Sequence, residues 1–197
     1  MVVTLPRVLL AHGFLSSFDL NWRETGFADL PGVIDAALPA DEVVDAVGFS
    51  MGAAQLLHLA VRRPARFRRL VLAGIGQNVF HAPDASRVAE AIESGVEPDD
   101  DGTTKFFVQS SKIPGNDPLA LAACMRRMHR AVIDDDLQRV TLPVLVVIGD
   151  KDFAGPADRL VAGLPDVRHV VLRNVEHFAT PRSFGFFDAA LDFLAED

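Results

Sequence analysis

A strand pattern runs directly into a helix pattern over the ten residues Val43-Val44-Asp45-Ala46-Val47-Gly48-Phe49-Ser50-Met51-Gly52. The apolar run that ends at Val47 is typical of a buried strand, and the residues after Gly52 have the spacing of a helix. The turn between them fits the pattern G-x-S-x-G. Such a turn forces its serine into a strained backbone conformation and exposes the hydroxyl. A Cβ on either flanking glycine, Gly48 or Gly52, would collide with the neighbouring strand or helix.

This turn allows two interpretations of Ser50. It is either a nucleophile or the N-cap of the following helix, without a chemical role. Met51 stands at the predicted start of that helix, where backbone N–H groups without an acceptor in the helix can bind an anion.

The rest of the chain alternates between strand and helix patterns. Near-continuous apolar runs predict strands that are buried on both faces, as in a parallel sheet covered by helices. With the strand before Ser50, they occur at residues 8–11, 70–73, 144–148 and 167–172. Helix patterns occur at residues 52–63, 156–163 and 183–195. This alternation predicts a doubly wound α/β fold with a mostly parallel sheet of about five strands.

One long segment interrupts the alternation. Residues 77–139 contain helical patterns at 84–93 and 118–132, separated by polar residues. We expect residues 77–139 to form a helical cap insertion, and residues 1–76 and 140–197 to form the core. The acidic runs within the insertion, residues 99–101 and 134–136, lack the spacing of a calcium loop and are predicted to face solvent.

Composition excludes several classes of function. The chain has 197 residues, 49% apolar and 23% charged, which is ordinary for one globular domain. Its net charge of −8 disfavours binding to nucleic acids and to anionic membranes, both of which need clustered Lys and Arg. The single cysteine, Cys124, rules out an intrachain disulfide and a zinc site made of several cysteines. No apolar run is long enough to span a bilayer and no signal-peptide pattern is present, so the expected location is cytoplasmic.

Later segments supply partners for Ser50. A serine hydroxyl is a weak nucleophile that needs a base, and the base needs an orienting group. His177 follows the last predicted strand, and two carboxylates, Asp150 and Asp152, follow the most strand-like run in the chain. Ser50, His177 and one of these carboxylates therefore form a candidate triad.

Four segments of the chain together resemble the α/β-hydrolase superfamily. They are Leu9 to Phe14, which resembles a strand followed by a His-Gly oxyanion turn, Gly48 to Gly52, Pro143 to Asp152, and His177-Phe178 together with Phe184. The chain order of serine, aspartate and histidine is also that of the superfamily. The resemblance covers most of the chain outside the insertion.

The resemblance assigns roles residue by residue. It implies that Ser50 is the nucleophile, that His177 acts as general base and then as acid, and that Asp152 rather than Asp150 orients the histidine. It further implies an oxyanion hole made by backbone N–H groups, and no metal or cofactor. The residues implied are Phe14 and Met51 for the oxyanion hole, with His12, Gly13, Gly48 and Gly52 supporting the two motifs.

The chain departs from the superfamily between Gly13 and Phe49. This segment is too short for the additional strand and most of the helix that members usually have there. We expect a deletion within about residues 28–42, which leaves the strand at 8–11 near an edge of the sheet. Because exposed strand edges favour pairing with another chain, the sequence is compatible with a homodimer.

The resemblance implies a serine hydrolase that cleaves a small apolar carboxylic ester, lactone or thioester through an acyl-enzyme. Carbon–carbon bond hydrolases and perhydrolases use the same triad and remain alternatives. Two others are a hydrolase-like module that binds a small molecule with little turnover, and a truncated hydrolase that folds poorly. Apolar side chains of the insertion either line a substrate pocket or pack the insertion against the core. The pocket candidates are Phe80, Phe106, Phe107 and Met125.

Overall fold

A computed structural model describes residues 8–11, 42–81, 85–114, 116–126 and 131–196. Its strands are β1 (Val8–Ala11), β2 (Val44–Phe49), β3 (Phe67–Ala73), β4 (Val144–Gly149) and β5 (Val167–Leu172). Its α-helices are α1 (Met51–Arg62), α2 (Ala85–Ser94), α3 (Gly102–Ser111), α4 (Pro118–Arg126), α5 (Asp134–Leu137), α6 (Asp158–Gly163) and α7 (Phe184–Ala195). In the described part of the chain, no helix combines the length and the apolar character needed to cross a membrane.

The described residues form two compact units. The larger unit contains residues 8–11, 42–81 and 131–196, and the smaller one contains residues 85–114 and 116–126. All five strands belong to the larger unit, together with α1, α5, α6 and α7.

A parallel sheet lies at the centre of the larger unit. Its strands are arranged in the order β1-β2-β3-β4-β5, and every neighbouring pair is parallel. The carboxyl ends of all five strands therefore meet at one edge of the sheet, where loops from separate strands can build a site. The predicted α/β class with about five parallel strands is confirmed.

The central strands are buried on both faces. Every residue of β4 is buried, which explains why its sequence is an uninterrupted apolar run. On one face, Val71 and Leu145 pack against Phe186 and Phe193 of α7. Helix α1 follows β2 and contacts both β2 and β3, and its Leu56 is fully buried.

Among the described strands, β1 lies at the edge of the sheet and pairs with β2. Its side chains Val8 and Leu10 are 46% and 61% exposed, whereas the side chains of β4 are buried. The edge position agrees with the expectation drawn from the short segment after Gly13. Residues 12–41 lie outside the described part of the chain. Homodimerisation stays a prediction.

The smaller unit consists, in its described residues, of helices α2, α3 and α4. Helix α2 packs against both α3 and α4, and Ile92, Val108 and Leu121 are buried. Helix patterns at 84–93 and 118–132 anticipate α2 and α4. Helix α3 was not predicted, because it begins with Gly102 and two threonines, which are weak helix formers.

The prediction that both acidic runs face solvent is wrong for Asp136. This residue is 7% exposed, and its carboxylate accepts the Ile133 N–H at 3.4 Å. Asp101 is half-buried and accepts the N–H of Thr104 at 3.0 Å. Both carboxylates satisfy backbone donors near a helix start, a role that composition alone does not reveal.

Candidate active site

Ser50 occupies the turn between β2 and α1, at the carboxyl edge of the sheet. Its φ and ψ angles are 54° and −119°, so this serine has the strained left-handed backbone that the G-x-S-x-G turn predicts. The turn is held from both sides, since Ser50 N–H donates to Ala73 O at 2.8 Å and Ala54 N–H donates to Ser50 O at 3.0 Å. These bonds fix the hydroxyl above the strand ends.

Gly48 allows the helix to fold back against the strand before the serine. A Cβ on Gly48 would lie 2.7 Å from both the N and the Cα of Ala53, closer than nonbonded atoms can approach. Any side chain here would therefore push α1 away from β2 and displace Ser50 with it.

Asp152 lies in the tight turn that follows β4. Its N–H donates to Gly149 O at 3.1 Å, and its Oδ1 accepts the N–H of Ala154 at 2.8 Å. Its carboxylate is buried, whereas Asp150, two residues earlier, is exposed. The turn thus aims one carboxylate inward and leaves the other in solvent.

His177 begins the 3₁₀ turn His177–Arg182 after β5 and joins the other two residues. Its Nδ1 lies 2.8 Å from Asp152 Oδ1 and 2.9 Å from Oδ2. Its Nε2 lies 2.8 Å from Ser50 Oγ. The structure therefore places Ser50, His177 and Asp152 in one continuous hydrogen-bonded chain.

The hydrogen-bond partners indicate where the imidazole proton lies. An ionised carboxylate can only accept, so Nδ1 carries the hydrogen and donates to Asp152. Nε2 is then the acceptor for the Ser50 hydroxyl proton. His177 is only 3% exposed, which protects this arrangement from competing water. The chain of groups can draw a proton from Ser50 and hold the resulting positive charge against a carboxylate.

Three phenylalanine rings surround the His177 imidazole, and sequence reasoning did not assign them to the site. The ring centroids of Phe49, Phe153 and Phe178 lie 4.9, 4.2 and 5.1 Å from that of His177. Each ring belongs to a direct chain neighbour of a candidate triad residue: Phe49 precedes Ser50, Phe153 follows Asp152, and Phe178 follows His177. That adjacency is the signal that would have found them.

The implied oxyanion residues are described in part. Met51 is the first residue of α1 and is buried, and backbone N–H groups in a first helical turn have no acceptor within the helix. His12, Gly13 and Phe14 lie outside the described residues. The oxyanion hole therefore stays a prediction.

The pocket candidates fall in both units. Phe80 is buried in the larger unit, where the Arg159 guanidinium lies 4.0 Å from its ring centroid. Phe106 and Phe107 are half-buried on α3, and Met125 is buried on α4. Their contact with substrate stays a prediction. Within the described residues, no group of three or more His, Cys, Asp or Glu side chains is arranged to hold a metal ion.

Neither a protein-family model nor a curated protein sequence matches the chain. Solved structures do match. An α/β-hydrolase enzyme from a Medee basin deep-sea metagenome library has a TM-score of 0.73 and 14% identity, over 100% of this chain and 92% of that one. The enol-lactonase from Burkholderia xenovorans LB400 has a TM-score of 0.69 and 17% identity, over 98% of this chain and 93% of that one. A carboxylesterase from Bacillus subtilis has a TM-score of 0.64 and 16% identity, over 97% of this chain and 84% of that one.

The similarities extend over almost the whole chain at low sequence identity. The solved structures and this chain therefore share the arrangement of the backbone. The chain has the fold of the α/β-hydrolases.

Proposed function

We propose that the chain is a serine hydrolase that cleaves a small apolar carboxylic ester, lactone or thioester. The observation that carries this proposal is the pair of hydrogen bonds that His177 makes, one to Ser50 and one to Asp152. The fold and the similarity to structures of a carboxylesterase and an enol-lactonase support the same class of reaction.

In the first half of the proposed reaction, Ser50 Oγ attacks the carbonyl carbon of the substrate while its proton passes to His177 Nε2. Asp152 stabilises the imidazolium through the hydrogen bond at Nδ1. The carbonyl oxygen becomes an oxyanion, for which the Met51 N–H is the proposed donor. The carbon–oxygen or carbon–sulfur bond then breaks, and the leaving group takes its electron pair and the proton from Nε2.

In the second half, water takes the place of the leaving group. His177 accepts a proton from this water, whose oxygen attacks the acyl carbon. The bond to Ser50 breaks, and Oγ recovers a proton from Nε2. The products are a carboxylic acid and the free serine, and the reaction needs no cofactor.

The first test is labelling with a fluorophosphonate probe, which reacts with activated serines. Intact-mass measurement of the folded protein is expected to show one adduct, which is absent in Ser50→Ala. The variant should retain the cooperative unfolding transition of the parent protein. A protein that unfolds cooperatively but gains no adduct would contradict the proposal and favour a binding module. A protein without a cooperative transition would indicate a truncated hydrolase that folds poorly.

A substrate panel separates the chemistries that share this triad. We expect Ser50-dependent turnover of small apolar esters, lactones or thioesters. Turnover of a β-diketone without turnover of esters would replace the proposal by carbon–carbon bond hydrolysis. Formation of a peracid from an ester and hydrogen peroxide, faster than hydrolysis, would replace it by perhydrolysis. A ligand that raises the unfolding temperature without Ser50-dependent turnover would indicate binding alone.

A further inference from the structure

One face of the site is an exposed aromatic surface next to the base. Phe153 is 51% exposed although its ring centroid lies 4.2 Å from that of His177. Phe178 is 37% exposed, and its ring centroid lies 5.8 Å from that of Phe153. By contrast, Phe49 packs against the buried core under the sheet. Phe153 and Phe178 thus offer a ligand more exposed apolar area than the half-buried Phe49.

The backbone of Phe153 belongs to the same turn that positions Asp152. The carboxylate of Asp152 accepts the N–H of Ala154, and the carbonyl of Asp152 accepts the N–H of Gly155 at 3.2 Å. Phe153 therefore sits between two residues that are fixed by hydrogen bonds. A side chain presented on so constrained a turn can contact a ligand with little loss of conformational freedom.

The chemistry decides which part of a substrate meets this surface. In ester cleavage the leaving-group oxygen takes its proton from His177 Nε2, so it lies within hydrogen-bond distance of that atom as the C–O bond breaks. A substituent of a few carbons on this oxygen can reach a ring that packs on the same imidazole. The acyl part stays attached to Ser50 Oγ after this bond breaks.

We propose that Phe153, extended by Phe178, is the contact surface for the leaving group and makes the enzyme prefer esters of aromatic or cyclic alcohols over esters of short alkyl alcohols. This inference rests on the proposed hydrolase function. Burial of the leaving-group ring against Phe153 combines apolar contact with a ring–ring interaction. The preference should appear in kcat/KM for the leaving group and not for the acyl group.

The test compares benzyl acetate with methyl acetate, which share an acyl group and release alcohols of similar acidity. We expect the unmodified protein to prefer benzyl acetate. In Phe153→Ala, the benzyl-to-methyl ratio of kcat/KM is expected to fall about fivefold, and any loss that is common to both acetates cancels in this ratio. Phe153→Leu keeps apolar area and the fold. Its benzyl-to-methyl ratio should therefore lie about midway between those of the parent protein and Phe153→Ala. The ratio of methyl butyrate to methyl acetate should not change.

Phe187 provides the matched control. It is 46% exposed on α7, where its ring centroid lies 5.7 Å from that of Phe186, and Phe187→Ala should leave the benzyl-to-methyl ratio unchanged. An unchanged ratio in Phe153→Ala and Phe153→Leu would overturn the inference, and so would an equal loss for both acetates. Fluorophosphonate labelling of Ser50 in the same preparations isolates the cause. If Ser50 is labelled and the benzyl-to-methyl ratio is unchanged, only the leaving-group inference is contradicted. If Ser50 is not labelled, the proposed hydrolase function is contradicted, and this inference with it.

Discussion

Phe49 and His177 meet with their ring centroids 4.9 Å apart, although one residue ends β2 and the other follows β5. Gly74 lies beside both rings. A Cβ there would lie 2.6 Å from Phe49 Cε2 and 3.2 Å from His177 Cε1. The position of the His177 ring is therefore sensitive to the residue that follows β3.

Gly74→Ala is expected to slow fluorophosphonate labelling of Ser50 at least tenfold, because the added methyl displaces the Phe49 and His177 rings. Gly95→Ala is the control: Gly95 has a φ of +67°, close to the +66° of Gly74, but its nearest neighbour is the Lys112 side chain at 3.8 Å. Both variants should lose about 1–2 kcal/mol of unfolding free energy through backbone strain. Equal labelling rates in the two variants would contradict the role assigned to Gly74.

Asp152→Asn is expected to lower kcat by about 10³- to 10⁴-fold, since an amide can hold the wrong imidazole tautomer and does not stabilise the imidazolium. Asp150→Asn makes the same chemical change two residues away, at an exposed carboxylate, and should retain nearly full activity. Steady-state kinetics on one ester decides between them. A larger loss in the Asp150 variant would assign the orienting role to the other carboxylate.

Asp45→Ala is expected to destabilise the fold by about 3 kcal/mol. Asp45 is 1% exposed in β2, and its two carboxylate oxygens accept bonds of 2.9 and 2.6 Å from the Arg68 guanidinium. Arg68 also donates to the Leu194 carbonyl at 2.9 Å, so it links β2 to the end of α7. Asp134→Ala breaks an exposed pair with Arg159 and should have a much smaller effect in urea unfolding. Similar losses would show that burial of the Asp45 pair is unimportant.

Asp101 should make stability depend on pH through the start of α3. The hydroxyl and N–H of Thr104 hold the pKa of this carboxyl below its usual value. Its contribution is therefore complete above the unfolded pKa near 4 and is lost as the pH falls through the folded pKa. Asp101→Ala should cost about 1 kcal/mol at pH 7 and less in acid.

Asp101→Asn keeps a capping oxygen without the titration, so its stability should lie near that of the parent protein at pH 7. Urea unfolding at pH 7 and at pH 3 measures both variants. An Asp101→Ala deficit that grows towards pH 3 would have the wrong sign and would exclude capping by the ionised carboxylate.

Much of the fold could be predicted because parallel strands buried on both faces must be apolar along their length. The pattern of β4 matched to within one residue. The start of β3 was missed by three residues, since Arg68 and Arg69 interrupt its apolar run. Arg68 pairs with a buried carboxylate, and Arg69 lies over the Phe193 ring at 5.3 Å. Both partners belong to other elements, so a local pattern contains no trace of them.

That Ser50, Asp152 and His177 come together could be expected because each follows a strand of one parallel sheet, whereas their catalytic role stays a prediction. What the sequence left open depends on how separate loops approach one another. The positive φ of Gly74 and the packing of Phe153 on His177 arise only where the loops after β3, β4 and β5 come together. The acidic runs were equally ambiguous, because a run of aspartates does not show that Asp136 is buried and accepts the N–H of Ile133, three residues earlier.

The Ser50–His177 hydrogen bond closes a loop of 127 residues, which has a consequence for folding kinetics. Loops of this size are entropically costly to close, and parallel sheets with distant partners form slowly. We therefore expect the proposed reactivity of Ser50 to arise only after β5 has docked beside β4. A short pulse of fluorophosphonate at successive refolding times is expected to label the molecules whose sheet is complete, so labelling of the proposed nucleophile would report when the last strands pair.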